Sequence, residues 1–154
     1  EHVSRTREPL NLKRTVRHLE VPVIVGACSS FQAALHLMRT GAAGVIVASD
    51  PHSEGVGVPL ATAIADARAA RMQHLDETGV YVQLIASVPV HTGGDVAKAI
   101  VCGADAVLVE APDASGVPGD GLRKTVIGDL RRTMATCGFE SVKELQSAEL
   151  VVIS

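Results

Sequence analysis

Two stretches of this sequence can be laid side by side, and few folds accommodate such a pair. Residues 21–49, VPVIVGACSSFQAALHLMRTGAAGVIVAS, and residues 81–111, YVQLIASVPVHTGGDVAKAIVCGADAVLVEA, share one order of parts. Each starts with a short β-branched run, passes a polar turn and enters an Ala-rich helical stretch. Each then stops at Gly-Ala and closes on a second β-branched run, GVIV or AVLV. This is the βαβ unit twice over. Its strands are predicted to be parallel and its crossovers right-handed.

Parallel strands are buried on both faces and want aliphatic side chains. The composition agrees: 47% of residues are hydrophobic but only 2% aromatic, so the core must be Val, Ile, Leu and Ala. Between the repeats lies a long helix, with Pro59 suited to its first turn and Gly79 to its end. Leu60, Ile64, Ala67 and Leu75 fall near helical spacing, while Asp66, Arg68, Gln73 and Asp76 can face water. His36 and His74 are expected on helix surfaces. An earlier helix, about Leu10 to Leu19, starts after Pro9 with Lys13, Arg14 and Arg17 outward. Residues 111–121, APDASGVPGDG, read as a flexible linker. A C-terminal helical segment, 122–154, follows, with its main helix ended at Gly138.

The strand count is about four. A full (β/α)₈ barrel needs eight strands and typically ~250 residues; the chain has 154. The expected architecture is therefore α/β, either a small open sheet or a partial (half) TIM-type barrel, in a single domain, 1–154. A half-barrel leaves unpaired edges and an apolar sheet face. A homo-oligomeric partner, another barrel segment, the terminal segments or further chain must cover them. Glu1 at the first position leaves processing, trimming or a longer parent chain open.

Several function classes drop out. A net charge of −3 gives no basic footprint for nucleic acid. No apolar run approaches the ~18 residues of a membrane span, and no signal-peptide pattern occurs. Cys28, Cys102 and Cys137 are far apart and lack metal-ligand spacing. They read as reduced thiols of a cytoplasmic protein.

The stretch ASVPVHTGGDVAKAI, Ala86 to Ile100, raises the functional question. A strand runs through a turn into a helix start, where parallel α/β proteins hold phosphate. Gly93, Gly94 and Asp95 could offer N–H groups to an anion there, or Thr92 or Asp95 could simply cap the helix. Yet Val88 and Pro89 stand where such a turn wants bare glycine.

Blocks in order along the chain carry a resemblance: EHVS, EPLNLKR, ALHLMRTGAAGVIV, GVGVPLATAIADARAAR, LDETG, TGGDVAKAI, GADAV and LRRTMATCGF. Together they resemble the IMP dehydrogenase/GMP reductase family, closest to its actinobacterial IMP dehydrogenase-related branch. The resemblance covers nearly the whole chain. It implies the C-terminal half of a barrel, from about the fourth strand to the eighth. It also implies a purine-nucleotide oxidoreductase in which a loop cysteine attacks C2 of the base and hydride passes to or from NAD(P). For this chain itself no cofactor is expected; NAD(P) enters by the resemblance alone.

The family pattern breaks where chemistry would sit. The family loop, roughly Gly-x-Gly-Ser-x-x-Cys-Thr-Thr-Arg before GVGVP, is here GVIVASDPHSEGVGVP, shortened and without cysteine. Ser49, Asp50, His52 and Ser53 occupy it, and Gly55 and Gly57 match the glycines after it, as cofactor-side contacts or as turn formers. Where the family reads Ala-Asp-Gly-Gly-Ile-Arg, this chain has Ala86, Ser87, Val88, Pro89, Val90 and His91. Ser87 is a weaker, neutral partner for a ribose, and Pro89 has no N–H. The family's Gly-Ser at the eighth strand becomes Glu110-Ala111, and Ala27 replaces its Asn/Gly after the fifth.

A carboxylate 4 Å from a phosphate costs about 4 kcal/mol at an effective dielectric of ~20. That is roughly a thousandfold in affinity. The degenerate substrate-binding positions are thus Ser49, Asp50, Ser87, His91 and Glu110. No catalytic residue is assigned. Three readings stand: a degenerate, non-catalytic family member; an oxidoreductase whose loop comes from a partner or longer chain; and a small-metabolite binder. Cys28 as a replacement nucleophile, and a triad of Asp50, His52 and Ser53, are the weakest of the chemical readings.

Overall fold

The computed structural model describes residues 10–49, 57–109 and 120–150. Helix α1 (Leu12–His18) is followed by β1 (Ile24–Cys28), α2 (Phe31–Met38) and β2 (Gly44–Val47). Then come α3 (Leu60–Thr78), β3 (Gln83–Val88), α4 (Gly93–Cys102) and β4 (Ala106–Val109). Helices α5 (Asp120–Cys137) and α6 (Val142–Leu145) close the described chain. The strands form one sheet in the order β1-β2-β3-β4, with every neighbouring pair parallel.

Local chemistry sets the helix ends. Asn11 caps α1 by accepting the Arg14 N–H at 3.0 Å, so this helix starts two residues later than the pattern suggests. Ser30 does the same for α2 through the Ala33 N–H. Helix α3 runs from Pro59 to Gly79, as expected. Gly79 adopts φ 71°, and its N–H reaches the Leu75 carbonyl at 2.7 Å. Helix α5 ends before Gly138, also as expected, but its first residues, Asp120 and Gly121, were assigned to the linker by pattern. The rest of that stretch, 111–119, lies outside the described residues. The short SVKELQ segment forms a single turn, α6, capped by Ser141.

The helices pack on one face of the sheet. Val25, Val45, Val47, Leu84, Ala86 and Val88 point into a cluster with Ala34, Leu35 and Met38 of α2 and Ala63, Ile64, Ala67 and Ala70 of α3. A second cluster joins Val96, Ala97, Ile100 and Val101 of α4 to Val126 of α5 and Leu145 of α6. Doubly wound open sheets carry helices on both faces. One-sided cover is instead the outer half of a (β/α) barrel wall. The open-sheet alternative is set aside, and the partial barrel stands.

The other face would look into the barrel. Ile24, Ile46, Ile85 and Leu108 project there, with Ile24 54% and Leu108 43% exposed. Gly26 makes room for one of them: a Cβ there would lie 2.7 Å from the Ile46 carbonyl oxygen.

The long helix corrects one expectation. His74 is buried, as is Arg71, at 5% exposure each. Both fall on the stripe Ala63, Ile64, Ala67, Ala70 that faces the sheet. His36 is exposed, as its position suggested.

Candidate functional site at the strand ends

In a parallel barrel, ligands bind at the carboxyl ends of the strands. Three short described segments lie there: Ser29–Ser30 after β1, Ala48–Ser49 after β2 and Pro89–His91 after β3. Asp50, His52, Ser53, Gly55 and Glu110 lie outside the described residues, as does Ala111.

Ser49 has a structural task. Its hydroxyl donates to the Val58 carbonyl at 2.5 Å, cinching together the two ends of the connection between β2 and α3. Gly57 is exposed beside that cinch, with φ 147°. Ser87 is half-buried on the inward face, paired in register with Leu108. Val88 stands elsewhere than the family comparison suggested. Its side chain is the last core residue of β3, 7% exposed among the helix-facing residues, so it obstructs nothing inside the barrel. The reason is the strand's two-residue period, which sends Leu84, Ala86 and Val88 to one side and Ile85 and Ser87 to the other.

The helix start after β3 is occupied by its own side chain. Asp95 Oδ2 accepts from the His91 N–H at 3.2 Å, the Thr92 N–H at 3.0 Å and the Thr92 hydroxyl at 3.1 Å. Burial pushes this carboxyl up, but the hydrogen bonds from Thr92 and His91, helped by the Lys98 charge, outweigh it. The group ends below its usual range. Thr92 and Asp95 form a capping box, so the capping reading of this stretch holds. Gly93 is buried against α5, and a Cβ there would come within 2.6 Å of Asp129. His91 itself is exposed.

The thiols are not activated. Cys28 is buried, and its sulfur lies 3.6 Å from the Ile46 carbonyl, to which it donates. Burial pushes its pKa up to about 11. Cys102 is also buried and shifted upward by burial. Cys137 is exposed at the end of α5. Among the described residues no group of His, Cys, Asp and Glu is placed to hold a metal. No described helix is long and apolar enough to cross a membrane.

Residue patterning passed over a polar cluster at the opposite strand ends. Asp105, just before β4, accepts from Arg71 Nη1, the Tyr81 hydroxyl and the Leu84 N–H. Gln146 reaches the Ala104 carbonyl beside it at 3.1 Å. The signal was available: Arg71 lies four residues after Ala67 on the buried stripe, where a lone charge demands a partner.

Comparison with known proteins fits this geometry. Residues 1–152 match the family model described as FMN-dependent dehydrogenase. A Mycolicibacterium smegmatis protein described as an uncharacterized oxidoreductase is 38% identical over 203 residues, covering 99% of this chain and 54% of that one. The match is longer than the chain's 154 residues, so the relative carries inserted segments that this chain lacks. The inosine-5'-monophosphate dehydrogenase of Haemophilus influenzae is 38% identical over 100 residues, covering 60% of this chain and 19% of the enzyme. The crystal structure of an IMP dehydrogenase/GMP reductase-like protein from Corynebacterium glutamicum superposes with a TM-score of 0.78 at 35% identity. It covers 95% of this chain and 52% of that one. The chain spans about half the length of the curated relatives that match nearly all of it. It belongs to the FMN-dependent dehydrogenase family, among the IMP dehydrogenase/GMP reductase-like oxidoreductases, and it carries part of their (β/α) barrel.

Proposed function

We propose that this chain is a degenerate member of these oxidoreductases, one that keeps the barrel wall but does not itself catalyse purine-nucleotide oxidation or reduction. The observation that carries this reading is the state of Cys28. A nucleophilic cysteine must be exposed and hold its thiolate near neutral pH. The one thiol at a described strand end is buried, with its pKa near 11. The sequence has no cysteine between Cys28 and Cys102, so the loop after β2 supplies none.

The cofactor argument runs the same way. The family description names FMN, whereas the resemblance of the sequence blocks pointed to NAD(P). Both carry phosphate. Among the described residues, several strand-end donors are withdrawn from such a group: Pro89 has no N–H, and those of His91 and Thr92 are held by the Asp95 carboxylate. Ser49 is engaged with Val58, which leaves Ser87 and His91 of the described candidate positions. Gly57 stands in the described approach to α3, beside the Ser49–Val58 contact. Reduced thiols fit a cytoplasmic setting.

A second reading has one observation in its favour. The chain spans 54% of the M. smegmatis relative, so a partner or a longer chain supplying the missing loop would restore a purine-nucleotide oxidoreductase, with a place in GMP biosynthesis.

Incubation with IMP or GMP and NAD(P) or FMN, followed by cofactor absorbance and thermal unfolding, separates the readings. No turnover and no shift are expected. A ligand at 100 times its Kd adds about 2.7 kcal/mol. That is a rise of roughly 5–10 °C for a domain of this size. Such a rise, or any turnover by the chain alone, sinks the degenerate reading.

A further inference from the structure

Helix α4 is gripped at both ends. At its start, the main chain of Asp129 and Leu130 in α5 lies directly on Gly93, with no room for a side chain between them. At its far end, two side chains hold consecutive carbonyls of the turn into β4. Arg71 Nη2 donates to the Gly103 carbonyl at 3.3 Å, and Gln146 Nε2 donates to the Ala104 carbonyl at 3.1 Å. Gln146 also reaches Asp105 Oδ1 at 3.4 Å, which joins it to the cluster of Arg71, Tyr81 and Asp105.

Between those grips the contact is apolar and has few anchors. Val126 and Leu145 are the buried side chains that α5 and α6 contribute among the described residues. They pack with Val96, Ala97, Ile100 and Val101 of α4, in a cluster separate from the main core. Among the described residues, only the Gln146 side chain carries hydrogen bonds from 120–150 to the rest of the chain. A unit with few buried side chains and one polar tie opens more easily than the core around it. Helix α4 has 10 residues, a span of about 15 Å, so what holds one end bears on the other.

The start of α4 is where this matters. Asp95, in its first turn, accepts from the His91 and Thr92 N–H groups, so the turn after β3 keeps its shape while that first turn stays wound. We infer that α5 and α6 form a brace, latched by Gln146 at one end of the barrel wall, that holds the His91-bearing turn in place at the other. Gln146 is a positioning residue that acts through α4, and breaking its latch loosens a segment on the opposite rim. The inference concerns how that turn is held, and it stands whether or not the chain turns over a nucleotide.

Amide exchange followed residue by residue by NMR tests it. Gln146→Met keeps the length of the side chain and removes the donor. It is expected to speed exchange of the His91 and Thr92 amides about fivefold, the worth of one hydrogen bond, together with those of α5 and α6. Exchange in α2 and α3 should stay as in the parent. Coupling of this kind is reciprocal, so Gly93→Ala, at the other end of the brace, should speed exchange of the Leu145 and Ala148 amides, which bond to Ser141 and Leu145 carbonyls. Ser147→Ala removes a hydroxyl that donates to the Glu144 carbonyl within the same turn. It should leave His91 and Thr92 unchanged, which separates a latch from mere loosening of α6. Acceleration confined to residues 140–148 in Gln146→Met overturns the inference. So does equal acceleration in every helix, or a Ser147→Ala variant that loosens His91 as much.

Discussion

Arg71 Nη1 lies 2.6 Å from Asp105 Oδ2, and that pair ties the middle of helix α3 to the first turn before β4. The side chains are 6% and 16% exposed, which places the pair with buried ion pairs rather than surface ones. Its surroundings supply further partners, although the buried Arg71 Nε has none among the described residues. Asp105 also accepts from the Leu84 N–H at 2.8 Å and the Tyr81 hydroxyl at 2.7 Å. Arg71 reaches the Gly103 carbonyl at 3.3 Å, and its guanidinium stacks 4.7 Å from the Tyr81 ring centroid. Removing one partner strands the other charge in low dielectric, which typically costs about 3–5 kcal/mol. Asp105→Ala and Arg71→Ala are each expected to lower the unfolding midpoint by roughly 10 °C. The double variant should cost less than the sum of the two, since no charge is left unpaired. A double-mutant cycle by thermal unfolding checks this; additive losses would mean the residues do not act as a pair.

The pair also shows which parts of the molecule were legible in the sequence. Period and punctuation located the four described strands and the long helix, because Gly79 and the repeated Gly-Ala stops set their ends in local chemistry. Helix α1 starts two residues later than its pattern suggests because Asn11 supplies the cap. His74 was placed on the surface because its type is usually polar-facing. The stripe of small residues around it, Ala63, Ala67 and Ala70, was the better guide. At the strand ends, the capping role of Thr92 and Asp95 could be weighed from the sequence. The cinch from Ser49 to Val58 could not, because it depends on how a loop folds back. The outward turn of Val88 follows from strand period, which the family pattern at that position does not encode.

Gly93 sets the fit between α4 and α5. Its missing side chain lets the backbone of Asp129 and Leu130 lie directly against the first turn of α4. Gly93→Ala would push a methyl into main chain rather than into the tip of a mobile side chain. Overpacking of this kind costs about 1–3 kcal/mol. The loss should be local to the α4–α5 contact, so amide exchange in α5 is expected to rise while exchange in α2 and α3 stays as it was. Equal acceleration across all helices would show that α5 is not separately hinged on Gly93.

Asp95 makes the same helix start sensitive to acid. Its carboxyl is depressed below the ordinary value of 3.8 by its bonds to Thr92 and His91, against an opposing push from burial. A carboxyl lowered in the folded state adds stability above its unfolded value and loses it as pH falls through the folded one. Asp95→Ala should therefore cost about 1 kcal/mol at neutral pH, the usual worth of a cap. The gap between variant and parent should close below about pH 3.8. Unfolding midpoints measured from pH 7 down to about pH 2 test it; a gap that persists in acid would assign the loss to packing rather than to the charge.

Cys28 gives the opposite sign at the alkaline end. Burial raises its thiol from 9.0 to about 11, so the folded chain holds the neutral form where an unfolded chain would ionise. That contribution is complete below pH 9.0 and fades as pH climbs through about 11. At any pH below that range its thiolate fraction is about a hundredfold smaller than that of an ordinary cysteine, and the thiolate is the reacting species. Iodoacetamide at pH 8 is expected to modify the exposed Cys137 first and to leave Cys28 and the buried Cys102 untouched until the chain unfolds. Mass spectrometry of the alkylated peptides reads the order directly. Replacing Cys28 with Ala should reduce the stability loss between pH 9 and 11, leaving the part that Cys102 and Tyr81, also raised by burial, contribute. If Cys28 were instead labelled as fast as Cys137, its thiol would be accessible and ionisable at the mouth of the barrel. The case against catalysis by this chain would then lose its main support.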